Sequence, residues 1–204
     1  MFEDRFGYDP KLPENIRFIY MWLCDEVAKL QTKWDFYLEL YGKEENTELL
    51  NDLALWWSFN IIEETLRYDI TMSIGRLSDP LTTMGKENLS FATLVEKISD
   101  IPDIKKQFEN FKVACKTVSE VRNKQVAHND YNTKISPMEN RLPGITKTEI
   151  DQILKLATDI LTAVSNHYDL GQLMFNHTIG RGGVEELIFW LKAGKENRWK
   201  GNQT

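Results

Sequence analysis

The sequence predicts an all-α fold, an up-and-down bundle of four to five long helices. Two observations carry this. Apolar residues recur at alternating steps of three and four through most of the chain, the spacing of a helix face turned toward a core. No stretch shows the period-two alternation, or the β-branched runs bounded by turns, that a sheet needs. Gly42, Pro80 and Pro143-Gly144 stand between the periodic segments, where residues that stop helices belong.

Taken in order, residues 1–12 are aromatic and polar without a period and read as an arm, with a helix start near Pro13. Ile16, Tyr20, Leu23, Val27, Leu30, Trp34, Tyr37 and Tyr41 then step by four and three up to Gly42. The aromatic end of this stripe is expected to pack in a core and not to stack bases. A second helix is expected from about Glu45 to Arg76, with Leu55, Phe59, Ile62, Leu66, Ile70, Ile74 and Leu77 facing inward. Trp56 and Trp57 are adjacent and cannot both point inward, so one of them is expected to meet another neighbour, such as a dimer partner.

Pro80 ends that helix, and Arg76 with Asp79 sits one turn apart, a spacing suited to an ion pair. Residues 81–88 read as a loop. Ser90 is placed to cap a short helix carrying Leu94, Val95 and Ile98. After Asp130 to Gly144, a loop without periodicity, Thr146 and Glu149 form the pattern of a capping box. It opens a helix with Ile150, Ile153, Ala157, Ile160, Val164 and Tyr168 on one face. His167, near the end of that helix, is expected to meet free carbonyls. Gly180-Arg181-Gly182-Gly183 precedes a last helix and reads as a hinge more than as an anion nest. One domain over 13–193, with a polar tail from Gly194, completes the expected organisation.

The informative stretch lies in the helix expected over about 103–128. Phe108, Phe111, Cys115 and Val118 form an inward stripe whose next position is Arg122. Ala114, Val118, Val121 and Gln125 lead by the same steps to His128. A permanent cation and a titratable imidazole thus fall at the margin of an apolar face, where the period asks for Leu or Ile. Breaks of a local rule are where functional sites are expected. Arginine offers a rigid fork of donors that fits phosphate oxygens, and histidine exchanges protons near neutral pH, so the pair suits phosphodiester cleavage. Asn123 adds a neutral hydrogen-bonding group beside the cation. On a regular helix, six residues turn through about 600°, which leaves the two side chains about 120° apart. The helix therefore ends near His128, or a second copy of the chain completes the site; both are expected.

An arginine, a polar residue, four further positions and a histidine near the end of a helix resemble the signature of HEPN domains. The resemblance extends to Gly75-Arg76-Leu77-Ser78-Asp79-Pro80 at a helix end, Leu89-Ser90-Phe91 opening the next helix, and Gly182-Gly183-Val184-Glu185-Glu186-Leu187 near the C-terminus. These look like the layout of the AbiU-type abortive-infection branch, over most of residues 13–192. The resemblance implies a HEPN-like bundle and a metal-independent endoribonuclease that works as a homodimer through its signature helix, in phage defence or a toxin-antitoxin-like system. It implies Arg122 and His128 as catalytic residues, 2′-hydroxyl attack, and a 2′,3′-cyclic phosphate or its opened form as product. Asn123, Tyr131, Arg76 and Asp79 are the supporting candidates, Arg76 by reaching the same cleft as Arg122. A non-catalytic HEPN scaffold, dimerising or binding nucleotides and acting through a partner protein, is the competing reading.

Composition narrows the classes further. The 204 residues carry 25 Lys and Arg against 31 Asp and Glu, a formal charge of −6 that argues against a broad basic surface and leaves room for a small cationic cleft. Cys24 and Cys115 each sit among apolar neighbours and are expected as free buried thiols. The three histidines, His128, His167 and His177, show no paired metal-ligand spacing, so neither metal nor other cofactor is expected. Met1-Phe2-Glu3-Asp4-Arg5 lacks the features of a signal peptide, and no apolar run reaches the length of a membrane span. A cytoplasmic protein without a membrane is expected, with RNA as substrate and, in a toxin-like setting, a cognate antitoxin as partner.

Overall fold

The computed structural model describes residues 10–52, 56–98, 100–126, 145–171 and 182–201. The fold is all-α. In chain order it has α1 (Glu14–Tyr41), α2 (Glu44–Asp52), α3 (Trp56–Leu77), α4 (Phe91–Lys97), α5 (Ile104–Ala114), α6 (Lys116–Val121), a π-turn (Arg122–Val126), α7 (Lys147–His167) and α8 (Val184–Gly201). The expected second helix is thus described as two stretches, with residues 53–55, and so Leu55, outside the described residues.

Two compact units are distinguished: residues 1–30 with 71–175, and residues 31–70 with 176–204. Helices α1 and α3 contribute to both. In the first unit the core contains Ile16, Leu23 and Val27 of α1, Ile74 and Leu77 of α3, Phe91 and Leu94 of α4, Phe111 of α5, Val118 of α6, and Ile153 and Ile160 of α7. Phe91 meets Phe111 edge to face with ring centres 4.9 Å apart, which fixes α4 on α5. The Tyr20 hydroxyl donates to the carbonyl of Leu161 and ties α1 to α7. Leu12, placed in the arm by the sequence, is buried, and its carbonyl accepts a hydrogen bond from Arg17 at 2.7 Å. Residues 1–9 lie outside the described residues.

Local chemistry explains several boundaries. Gly42 follows α1 because a Cβ there would lie 2.5 Å from the carbonyl oxygen of Leu38, so only glycine fits. The capping box of α7 forms as the sequence predicts: Glu149 N–H donates to Thr146 Oγ1 at 3.2 Å, and Thr146 N–H donates to the Glu149 carboxylate at 2.8 Å. Ser90 takes the N-cap position of α4 with extended backbone, yet its side chain makes no capping bond, and its Oγ is buried without a partner among the described residues. The expected loop 81–88 holds a minimal hairpin, Thr82 opposite Glu87 and Thr83 opposite Lys86. Met84 and Gly85 both adopt positive φ at its tip, the geometry of a tight two-residue turn, and methionine at the first position hides it from sequence reading.

In the second unit Leu40, Leu49, Leu50, Val184 and Ile188 form a core, against which Phe36, Tyr41, Phe59, Leu187 and Leu191 pack. The aromatic end of α1 is structural, as its stripe predicts: Trp34 stacks on Tyr37, and the Tyr41 hydroxyl donates to the carbonyl of Phe59 at 2.8 Å. Other expectations are corrected here. Trp56 and Trp57 are both exposed and pack edge to face on each other, and Ile62 is also exposed, so of the expected face in the first half of α3 Phe59 packs on the core while Ile62 does not. Periodicity reports that a face is apolar; it does not report what lies over it. The tail is not frayed from Gly194, because α8 continues to Gly201 and Lys195 pairs with Asp52. The Gly182 amide donates to the Glu186 carboxylate at 2.7 Å, so an acidic side chain of α8 itself occupies the start of that helix and leaves it poorly suited to a foreign anion.

Candidate functional site

The signature stripe is buried as expected. Phe111, Cys115 and Val118 are almost fully enclosed, Phe108 and Val121 lie at the edge of burial, and the next inward position is Arg122. Burial pushes the Cys115 thiol up to about 12, against the lowering effect of the neighbouring Ser78 hydroxyl. Cys24 is likewise a free thiol pushed up to about 12 by burial, although part of its surface remains open. Neither is a reactive thiolate.

At Arg122 the helix changes form. Residues Arg122–Val126 make a π-turn, in which backbone bonds close five residues back, not four. Such single turns are rare and recur at functional sites. The wider turn rotates the chain less per residue than a regular α-helix does, so Arg122–Val126 departs from the regular helix assumed over this stretch. His128 and Tyr131 lie outside the described residues, as does the loop from Asp130 to Gly144.

Arg122 is held from three sides. Its Nη1 donates to Asp79 Oδ1 at 2.8 Å, with the two side chains 19% and 25% exposed. Its Nε donates to Asn123 Oδ1 at 3.1 Å. Its aliphatic stem and guanidinium lie over Gly75, where a Cβ would come within 2.2 Å of Cδ. A further contact joins the same two segments, the Ser78 and Ser119 hydroxyls 3.5 Å apart. The turn after α3 and the end of α6 are thus fastened together around one cation. The remaining N–H groups of the fork, both on Nη2 and the second on Nη1, are engaged by no described residue. Such a fixed fork suits a planar or tetrahedral oxyanion.

Of the supporting candidates, the structure brings Asp79 and Asn123 to Arg122. The ion pair expected between Arg76 and Asp79 is not formed. Arg76 is exposed and donates to Ser73 Oγ at 3.1 Å, while Asp79 takes the partner that lies 43 residues away. The reason is burial: a carboxylate three-quarters covered gains more from an equally covered guanidinium than from one in water. Gly75 was missed as part of this arrangement. Its signal was available, a glycine inside an otherwise regular helix, where it costs about 0.5–1 kcal/mol against alanine.

A second polar cluster lies at the end of α7. His167 Nε2 meets Asp100 Oδ2 at 2.9 Å, and the Tyr168 hydroxyl reaches the same carboxylate at 3.3 Å. The expected partner of His167, a free helix carbonyl, is therefore replaced by a side chain from the connection between α4 and α5. The hydrogen bond from His167, foremost, holds the Asp100 carboxyl below the usual range, with Tyr168 adding to it. Among the described residues no helix is long and apolar enough to cross a membrane.

The family model described as HEPN_AbiU2, AbiU2, matches residues 15–186. No curated protein and no solved structure matches the chain.

Proposed function

This chain belongs to the AbiU2 family of HEPN proteins, a family tied to abortive infection, and we propose that it is a metal-independent RNA endonuclease. Arg122 binds the scissile phosphate and stabilises the charge that develops on it. The 2′-hydroxyl attacks phosphorus, forming the P–O2′ bond as the P–O5′ bond breaks, and His128 acts as general acid or base in moving the proton between them. The products are a 2′,3′-cyclic phosphate, or its opened form, and a 5′-hydroxyl end. Asn123 orients the arginine, Tyr131 supplies one further hydroxyl, and Arg76 offers a second cation near the phosphate path. The active form is a homodimer through the signature helix, in a cytoplasmic defence or toxin-antitoxin-like system with a cognate antitoxin as regulator.

The observation that carries this reading is the arginine itself, fixed by Asp79 and Asn123 at the start of a π-turn, with its remaining donors engaged by no described residue. The test is incubation of the purified protein with total RNA in the presence of a chelator, beside Arg122→Ala and His128→Ala. Cleavage by the parent, lost in both variants, is the expected result. No cleavage by the parent under any salt condition removes the reading.

Two observations favour the competing scaffold. Asp79 already neutralises Arg122, and an acidic chain with a formal charge of −6 has little general attraction for RNA. In that reading the ion pair is a structural clasp and the activity belongs to a partner protein. Arg122→Ala separates the two, since a clasp fails by unfolding and a phosphate holder fails with the fold intact.

A further inference from the structure

Gly75 is an odd residue for its place. It is buried in the last turn of α3 and has none of the positive φ values that make glycine necessary elsewhere among the described residues. A helical glycine without such a need gives up backbone entropy for nothing in its own segment. The need comes from another segment. A Cβ on Gly75 would lie 2.2 Å from Arg122 Cδ, 2.6 Å from Nη1 and 2.9 Å from Nε, all closer than nonbonded atoms approach.

What blocks the Cβ decides the consequence. At Gly42 the obstacle is the main-chain carbonyl of Leu38, so alanine there has to move backbone. At Gly75 the obstacle is the outer part of one long side chain, which can swing away while both helices stay in place. Alanine at this position therefore dislodges the guanidinium and leaves the fold standing.

We propose that Gly75 is the positioning residue of the signature arginine: its bare Cα is the seat on which the guanidinium lies against α3, within reach of Asp79. The consequence for RNA rests on the ribonuclease reading above. The consequence for Arg122 rests on geometry alone.

The experiment compares Gly75→Ala in the parent and in an Arg122→Ala background. In the Arg122→Ala background the three atoms nearest the added Cβ are gone, so alanine acts through helix propensity and raises Tm by about 2–4 °C. In the parent that gain is absent, because the displaced arginine loses Asp79. The Arg122 Nε–H resonance, assigned by its loss in Arg122→Ala, shifts or broadens in Gly75→Ala while backbone amides distant from α3 and α6 keep their positions. An equal rise of Tm in both backgrounds with an unmoved Arg122 resonance overturns the proposal. On RNA, Gly75→Ala lowers kcat/KM by about tenfold or more at unchanged folding. Parent-like cleavage with a displaced arginine overturns the link between seat and chemistry. An inactive parent overturns the ribonuclease reading instead, and the melting and resonance comparisons still decide the role of Gly75.

Discussion

Arg122 donates to Asp79 at 2.8 Å across 43 residues of sequence, and this bond closes the turn after α3 onto the helix that carries the signature. Asp79 lies two residues past the end of α3, so a carboxylate just beyond one helix restrains the cation at the end of another. The apolar stripe of α5 and α6 stops where this pair begins, which places the charge at the rim of the first unit's core and not inside it.

The first prediction concerns the strength of that bond. Both side chains are less than a third exposed, so removing either leaves a partly buried charge without its partner. Asp79→Ala and Arg122→Ala should each cost about 1–3 kcal/mol in urea unfolding. The double variant should cost less than the two together, with a coupling of about 1 kcal/mol or more. Arg76→Ala should stay within about 0.5 kcal/mol, as an exposed side chain should. Strict additivity of the first two would mean the pair contributes nothing.

The capping box predicts a pH dependence. Hydrogen bonds from the Thr146 backbone and side chain, with a smaller one from Thr117, hold the Glu149 carboxyl below its ordinary 4.5. Its folded value is depressed, so the stabilisation is complete above about 4.5 and is lost as pH falls through the folded value. Glu149→Gln should flatten the acid limb of stability against pH by that contribution, and Thr146→Ala should cost about 1 kcal/mol at neutral pH. An unchanged acid limb in Glu149→Gln would show that the box does not persist in solution.

The helical order and most of the core were legible because they depend on local spacing. The stripe from Ile16 to Trp34, the inward face of α7 and the Thr146–Glu149 box all follow from three- and four-residue steps and one cap pattern. The position of Arg122 at the margin of an apolar face was legible for the same reason. The partner of Asp79 was not. Sequence offers Arg76 one turn away, and the choice of Arg122 depends on which guanidinium is covered, a tertiary fact. The π-turn was hidden too, since nothing in Arg122-Asn123-Lys124-Gln125-Val126 forbids a regular helix. Ile62 was misplaced because apolar character was read as burial, and Trp56 and Trp57, only one of which was expected to face another neighbour, are both exposed.

His167 and Asp100 give a third prediction. Asp100 is held below its ordinary 3.8 chiefly by the hydrogen bond from His167, with contributions from its own backbone and Tyr168. His167→Ala should return the Asp100 carboxyl toward 3.8, followed by its side-chain carbon resonance through acid titration. The depressed carboxylate contributes stability above about 3.8 that fades as pH falls further, and the variant should lose that contribution. A titration of Asp100 that is identical in the two proteins would dissolve the contact.

A substitution on the exposed first half of α3, read against one in the core of α5, gives a fourth prediction. Phe111 is fully buried against Phe91, so Phe111→Ala should cost about 3–5 kcal/mol through the cavity it leaves. Ile61 is half exposed, and Ile61→Ala should stay near 0.5 kcal/mol. A cost of several kcal/mol at Ile61 would mean that this face of α3 is covered in solution.

The last prediction sets stability against cleavage at Arg122. A cation whose only role is to clasp Asp79 fails by opening the turn after α3, so Arg122→Ala would lose activity only in proportion to the fraction unfolded. A cation that holds the scissile phosphate fails differently. Its loss should lower RNA cleavage by about a hundredfold or more while the protein still melts cooperatively, since the pair at the rim supplies only part of the fold's stability. Arg122→Lys sharpens the comparison. Lysine keeps the charge for Asp79 but lacks the second edge of the fork, so the clasp should largely persist while a bidentate grip on phosphate does not. Near-parent stability with strongly reduced cleavage in Arg122→Lys is the expected pattern for the ribonuclease. Cleavage at the parent rate in Arg122→Lys would show that only a point charge is needed there, and the fixed geometry around Gly75, Asp79 and Asn123 would then serve the fold alone.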